Sequence, residues 1–223
     1  MKFSGIQKTS LIDFPNRVAS VLFTSGCNLR CPFCHNWRLL DPKPPFLQEE
    51  TVLEILESRR NYVDAVVITG GEPTIHDGLP DFLRKLKDRK FAVKLDTNGF
   101  RPSVLKESLP YLDYVALDVK TRLEKYAWLG AKSVTPLLCA IRTLKAGKVE
   151  HEFRTTVVPG LVDKEDIVAI CEILKGARTF ALQQFSSEET MDSGLAMIRP
   201  YSVERIAEFG STVRDIENVI IRA

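Results

Sequence analysis

From residue 18 onward, short apolar runs rich in β-branched and aromatic side chains alternate with longer stretches that mix apolar and charged positions. Val18-Ala19-Ser20-Val21-Leu22-Phe23 reads as a buried strand. Residues 48–61 carry Val52, Leu53, Ile55 and Leu56 among charges, the pattern of a helix. Further strands are expected at 65–69, 91–96, 114–119, 151–157, 179–183 and 219–221, with helices over 79–89, 102–108, 134–146 and 164–175. Such alternation predicts an α/β fold of parallel βαβ units, and six of them close only part of an eight-unit barrel. Residues 1–17 show no clear period and contain the turn signal Asp13-Phe14-Pro15-Asn16. Residues 41–45 form a proline-rich, stiff connector. The longest connection without an assigned element is 186–200, holding Glu188, Glu189, Asp192 and Gly194, which a barrel would place near its C-terminal mouth.

Composition narrows the classes without choosing among enzymes. The 223 residues are 44% hydrophobic and 27% charged, enough for one domain over 1–223 with a substantial core. Thirty-one Lys and Arg against 29 Asp and Glu leave a balance of +2, which gives no electrostatic reason to expect nucleic acid as a partner. The opening MKFSGIQKTS lacks the apolar core of a signal peptide, and no apolar run approaches the roughly 20 residues of a membrane span. A cytoplasmic protein with no membrane partner is expected.

Three of the five cysteines fall within eight residues, in Cys27-Asn28-Leu29-Arg30-Cys31-Pro32-Phe33-Cys34-His35-Asn36. Gly26, Asn28 and Pro32 favour a loop over a helix, so residues 26–36 can wrap three thiolates around one centre. Thiolates select zinc or iron-sulfur clusters. Structural zinc takes four ligands, and His35, adjacent to Cys34, is poorly placed to be the fourth. Three cysteines on a four-iron cube would instead leave one iron open to a ligand. Cys139 and Cys171 lie in apolar stretches and read as small core residues rather than a second cluster.

In parallel α/β architectures the working residues sit at the C-terminal ends of the strands. The strand 65–69 runs into Gly70-Gly71-Glu72-Pro73, which is either a tight strand-to-helix turn or a place where a ligand meets bare backbone. The strand 91–96 ends in Asp96-Thr97-Asn98-Gly99. The next ends in Asp118-Val119-Lys120, whose carboxylate and ammonium share a face by the period of two, as an ion pair or as a joint ligand site. Arg154, in Phe153-Arg154-Thr155-Thr156-Val157-Val158-Pro159-Gly160, is either a rim ion pair or a mouth residue.

The CxxxCxxC spacing with Phe33 before the last cysteine resembles the radical S-adenosylmethionine (radical SAM) superfamily, and the continuation Cys-His-Asn resembles its glycyl-radical-activating branch. The best resemblance is to activating proteins of anaerobic ribonucleoside-triphosphate reductase, with the opening Ser10-Leu11-Ile12-Asp13-Phe14-Pro15. It implies a partial (β/α)6 TIM-like barrel of the radical SAM type, in which Cys27, Cys31 and Cys34 hold a [4Fe-4S] cluster whose fourth iron, without a cysteine ligand, chelates S-adenosylmethionine. It also implies cofactor contacts from Phe33, His35, Gly70, Gly71, Glu72, Asp96, Thr97, Asn98, Asp118, Lys120 and Arg154. A monovalent cation framed by Asp96, Thr97, the Ala116 carbonyl and Asp118 is implied as well. Where pyruvate formate-lyase activating enzyme has a histidine after the sixth strand, this chain has Leu182-Gln183-Gln184-Phe185, and Gln184 is the candidate amide in its place. The implied reaction is reductive cleavage of S-adenosylmethionine and removal of hydrogen from a glycine of a glycyl radical enzyme, with an electron donor such as flavodoxin or ferredoxin. A radical enzyme acting on a small molecule, of the deazapurine synthase type, and a non-enzymatic iron-sulfur or zinc module are the alternatives.

Overall fold

The computed structural model describes residues 1–41 and 43–222. Pro42, within the expected stiff connector, lies outside the described residues. One nine-stranded sheet runs through the molecule in the order β3-β1-β2-β4-β5-β6-β7-β8-β9. In chain order these are β1 (Lys2–Ser10), β2 (Ala19–Thr24), β3 (Leu47–Gln48), β4 (Ala65–Gly70), β5 (Ala92–Thr97), β6 (Tyr114–Asp118), β7 (Glu150–Val157), β8 (Thr179–Gln184) and β9 (Asn218–Arg222). From β2 to β9 all neighbours are parallel. Among the described residues, six α-helices connect them: α1 (Glu49–Ser58), α2 (Leu79–Asp88), α3 (Pro102–Ser108), α4 (Thr135–Ala146), α5 (Lys164–Leu174) and α6 (Val203–Gly210). This is the partial (β/α)6 barrel, extended by β9 at one edge and by antiparallel β1 and β3 at the other.

Two expectations need correction. Residues 2–10, read as aperiodic, form β1, paired antiparallel with β2. Only Phe3 and Ser10 of β1 are buried, so the strand carries almost no alternation. The second is α6, which lies beyond the unassigned 186–200 connection and was not expected; Ser202 caps it and Ile206 and Phe209 bury its one apolar stripe.

The register divides the sheet's side chains cleanly. Leu22, Val66, Ile68, Val93, Leu95, Val115, Leu117, Phe153 and Phe180 point outward into the main core under the helices, all at most 1% exposed. On the enclosed face, β2 and β4 contribute Ala19, Val21, Ala65 and Val67, closed from below by Phe14. Across β5 to β9 the same face turns polar: Lys94 and Asp96, Asp118, Glu152 and Arg154, Gln183, and Arg222 follow one another by register. One half of the barrel interior is thus apolar and small, and the other half charged. Among the described residues no helix is long and apolar enough to cross a membrane.

Candidate active site

β2 delivers the chain directly into the cysteine loop, and Gly26, at φ +79°, makes the turn. The loop's root is held by backbone bonds: Gly26 N–H to Leu39 O (2.7 Å), Gly71 N–H to Thr24 O (3.0 Å) and Glu72 N–H to Gly26 O (2.8 Å). Its middle is held by Arg30 N–H to Leu129 O (2.8 Å) and Asp192 N–H to Pro32 O (2.9 Å). Leu29 and Phe33 anchor it in the core. The segment 186–200, expected near the mouth, therefore packs on the cysteine loop itself.

The two glycines at the tip of β4 have a packing reason. A Cβ on Gly71 would lie 1.8 Å from the Gly26 carbonyl oxygen, and one on Gly70, at φ +113°, would lie 2.4 Å from Thr24 N. The bare backbone lets β4 press against the root of the cysteine loop. Glu72 then turns inward, 1% exposed, and its carboxylate takes four donors. Oε1 accepts from Thr74 N–H (3.1 Å), Thr74 Oγ1 (2.5 Å) and Thr97 Oγ1 (2.6 Å), and Oε2 from Asn98 N–H (2.7 Å). Burial pushes this carboxyl up while the four donors pull it back. Glu72 thereby rivets the tips of β4 and β5 together.

Beside that rivet, Asp96 and Asp118 face each other across Arg154. The guanidinium donates from Nε to Asp118 Oδ1 (2.8 Å) and lies 3.4 Å, through Nη1, from Asp96 Oδ2. Lys94 stands 2.7 Å from Asp96 Oδ1, and Lys120 donates to Asp118 Oδ2 (3.2 Å). Burial would raise the Asp118 carboxyl, but Arg154 and then Lys120 outweigh it and hold it at about 2. Lys120 keeps its charge despite its own burial because Asp118 and the sulfur of Cys31 face it. Its backbone N–H is fixed on Tyr126 OH (2.9 Å) and its ammonium lies 6.0 Å from the Phe33 ring centroid. Arg154 thus places fixed positive charge between the two carboxylates that the resemblance gave to a monovalent cation.

These groups enclose a cavity of about 260 Å³. The three cysteines, with Phe33 and His35, line one wall; Gly70, Gly71 and Glu72 line a second; Asp96, Thr97, Asn98, Asp118, Lys120 and Arg154 complete it. Ala116 is buried within β6 and is not on the wall. Gln184 also points elsewhere, donating its amide to Tyr201 O (2.9 Å), while Gln183 lines the cavity with Thr156. The strand period decides this: Gln183 shares the enclosed face with Ala181 and Arg154, and Gln184 faces α6 and its approach. Asn36, which donates to Gly70 O (3.2 Å), and His76, whose Nε2 lies 2.8 Å from Ser25 O, also steady the loop. Neither was singled out in the sequence for such a part.

The donor chemistry fits a metal-sulfur cluster. Burial pushes all three thiols up, Cys31 to about 12, with Lys120 pulling each down, so thiolates here call for a cationic centre beside them. Among the described residues no three His, Cys, Asp or Glu side chains converge closely enough for a single metal ion, as a zinc module requires.

The radical SAM superfamily model matches residues 21–174. A putative glycyl-radical enzyme activating enzyme of Methanocaldococcus jannaschii is 36% identical, covering 98% of this chain and 95% of that protein. A pyruvate formate-lyase-activating enzyme of Clostridium pasteurianum is 29% identical over 79% of this chain and 77% of its own. In structure, SuiB of Streptococcus suis superposes with a TM-score of 0.69 at 16% identity, over 91% of this chain and 48% of that one, which speaks for the fold alone. The chain belongs to the radical SAM superfamily. Within it, the chain's relatives are those of the glycyl-radical enzyme activating branch. Membership makes it an enzyme rather than the non-enzymatic module that its cysteines alone left open.

Proposed function

We propose that this protein activates a glycyl radical enzyme, with the large subunit of an anaerobic ribonucleoside-triphosphate reductase as its partner and a flavodoxin or ferredoxin as its electron donor. The observation that carries the reading is the cavity in which Cys27, Cys31 and Cys34, the second of them buried, face Gly70-Gly71-Glu72, Asp96-Thr97-Asn98 and Asp118-Lys120. The relationship to glycyl-radical enzyme activating enzymes over nearly the whole chain supports the reaction class. The opening Ser10-Leu11-Ile12-Asp13-Phe14-Pro15 and the Phe-Arg-Thr-Thr-Val-Val-Pro-Gly segment support the choice of partner.

In this reading Cys27, Cys31 and Cys34 hold a [4Fe-4S] cluster and leave one iron without a cysteine ligand. Held there, such a cluster would supply the one electron for reductive cleavage of S-adenosylmethionine, the chemistry by which hydrogen would be removed from a glycine Cα. The protein's own groups bind and orient. Backbone carbonyls at the tip of β4 and Glu72 Oε2, which takes a single donor, offer acceptors to the methionyl ammonium. Lys120 offers its ammonium to the carboxylate. Phe33, Leu29 and Leu40 line the cysteine wall with apolar surface and keep water from it. Arg154 holds the Asp96 and Asp118 carboxylates in place, so that a monovalent cation between them is dispensable.

The test is an anaerobic electron paramagnetic resonance (EPR) spectrum of the reconstituted, reduced protein mixed with S-adenosylmethionine and the reductase large subunit. A glycyl doublet is the expected result. A cluster signal that changes with S-adenosylmethionine but yields no doublet overturns the partner and keeps the radical chemistry.

A further inference from the structure

Asn98 follows the tip of β5 and is 4% exposed. Three of its groups are fixed. Its backbone N–H is held by Glu72 Oε2 (2.7 Å) and its side-chain Oδ1 accepts from Phe100 N–H (3.0 Å). The second bond decides which way the amide faces, because an NH₂ in that place would oppose an N–H. Nδ2 is therefore turned to the cysteine loop, where it donates to Asn28 Oδ1 (2.8 Å) and lies 3.8 Å from Cys27 Sγ. The same sulfur has Leu29 N–H at 3.5 Å. Cys27 thus sits against two N–H groups, one of them on a side chain whose oxygen is held by Phe100 N–H and whose own backbone is held by a buried carboxylate.

A donor aimed at a cluster thiolate stabilises negative charge on sulfur. Reduction adds an electron to the cluster and its sulfurs, so such a bond favours the reduced form and raises the potential. We infer that Asn98 is a positioning residue that acts through Cys27, making the cluster easier to reduce, and that Glu72 serves this end by fixing Asn98. The inference rests on the cluster proposed above and adds a determinant of its potential.

The test is a potentiometric EPR titration of the reconstituted protein and its variants, with iron and sulfide measured per chain. Asn98→Asp keeps the shape and the acceptor for Phe100 N–H but turns an oxygen toward Cys27. It is expected to retain iron and to lower the reduced-to-oxidised ratio at a fixed potential about tenfold, which is 59 mV for a one-electron couple. Asn28→Ser removes the neighbouring acceptor, leaves the donor facing Cys27, and is expected to change that ratio less than about threefold, under 30 mV. A fully loaded Asn98→Asp protein whose ratio stays within twofold of the parent overturns the inference, as does an Asn28→Ser shift equal to that of Asn98→Asp. Should Asn98→Asp lose its iron, pulsed EPR of the parent carrying asparagine amide ¹⁵N decides the matter. A ¹⁵N coupling to the reduced cluster that persists in Asn28→Ser supports the bond, and its absence from the parent refutes it. A parent that binds no four-iron cluster would instead sink the reading on which this one stands.

Discussion

Replacing Gly71 by alanine separates the two reasons a glycine can stand at the tip of β4. The added Cβ would lie 1.8 Å from the carbonyl oxygen of Gly26, a backbone atom that cannot swing aside. Relief requires β4 and the root of the cysteine loop to part by roughly 1.5 Å before the contact returns to van der Waals range. That movement stretches the bond from Glu72 N–H to Gly26 O, now 2.8 Å, beyond useful length. Overpacking of this kind costs about 1–3 kcal/mol, and the lost bond about 0.5–1.5. A gain of about 0.4–1 kcal/mol from the stiffer unfolded chain offsets part of it, leaving a net loss of about 2–3 kcal/mol. Urea unfolding of the metal-free chain should show the midpoint falling by about 1 M. Because Gly26 carries Cys27, iron bound after anaerobic reconstitution should fall as well. Gly5→Ala, where nothing lies within 4 Å of the new Cβ, serves as the control. An unchanged midpoint with full iron in Gly71→Ala would refute the packing argument and return the glycine to the service of a ligand.

Arg154→Met removes the bridge between Asp96 and Asp118 and should cost about 3 kcal/mol in urea unfolding at neutral pH, since it leaves buried carboxylates underpaired; a loss under about 1 would mean that Lys94 and Lys120 suffice. The Asp118 carboxyl, held at about 2, contributes about 2 kcal/mol of stability that is complete above the ordinary carboxylate range near pH 4 and disappears as the pH falls through 2. Asp118→Asn should therefore remove a step from the acid side of the stability profile of the metal-free chain, and parallel profiles for the two proteins would contradict the assignment. Gln183→Ala should weaken S-adenosylmethionine binding to the cluster-loaded protein without moving its melting temperature, and Gln184→Ala, which unties Tyr201, should do the reverse.

The sequence discloses the parts of this molecule that obey one period at a time. β4 and β6 are short, largely apolar runs, β5 alternates apolar Val93 and Leu95 with charged Lys94 and Asp96, and each ends at the motif the cavity uses, so fold and site could be read together. β1 could not be read because pairing with β2 and β3, not burial, makes it a strand. The choice between Gln183 and Gln184 lay within reach, since Ala181 and Arg154 set the parity of the enclosed face, but adjacent identical residues offer no chemical cue to it. Glu72 shows the opposite limit. Its motif marks the site, yet nothing local reveals that Thr74, Thr97 and Asn98 consume most of its acceptor capacity, because two of those donors arrive from the next strand. Asn98, a cofactor contact by the resemblance, lines the cavity, and only the far side of its amide, against Phe100, shows where its donor points.

The bond from Asp192 N–H to Pro32 O has a consequence for how the molecule is made. The cysteine loop precedes in the chain the segments that cage it, first Gly71 and Glu72, then Leu129, and last Asp192. Until that final stretch emerges, the loop's backbone lacks its outermost tether. The order in which the chain is built therefore sets when the backbone of the loop is closed around its thiols.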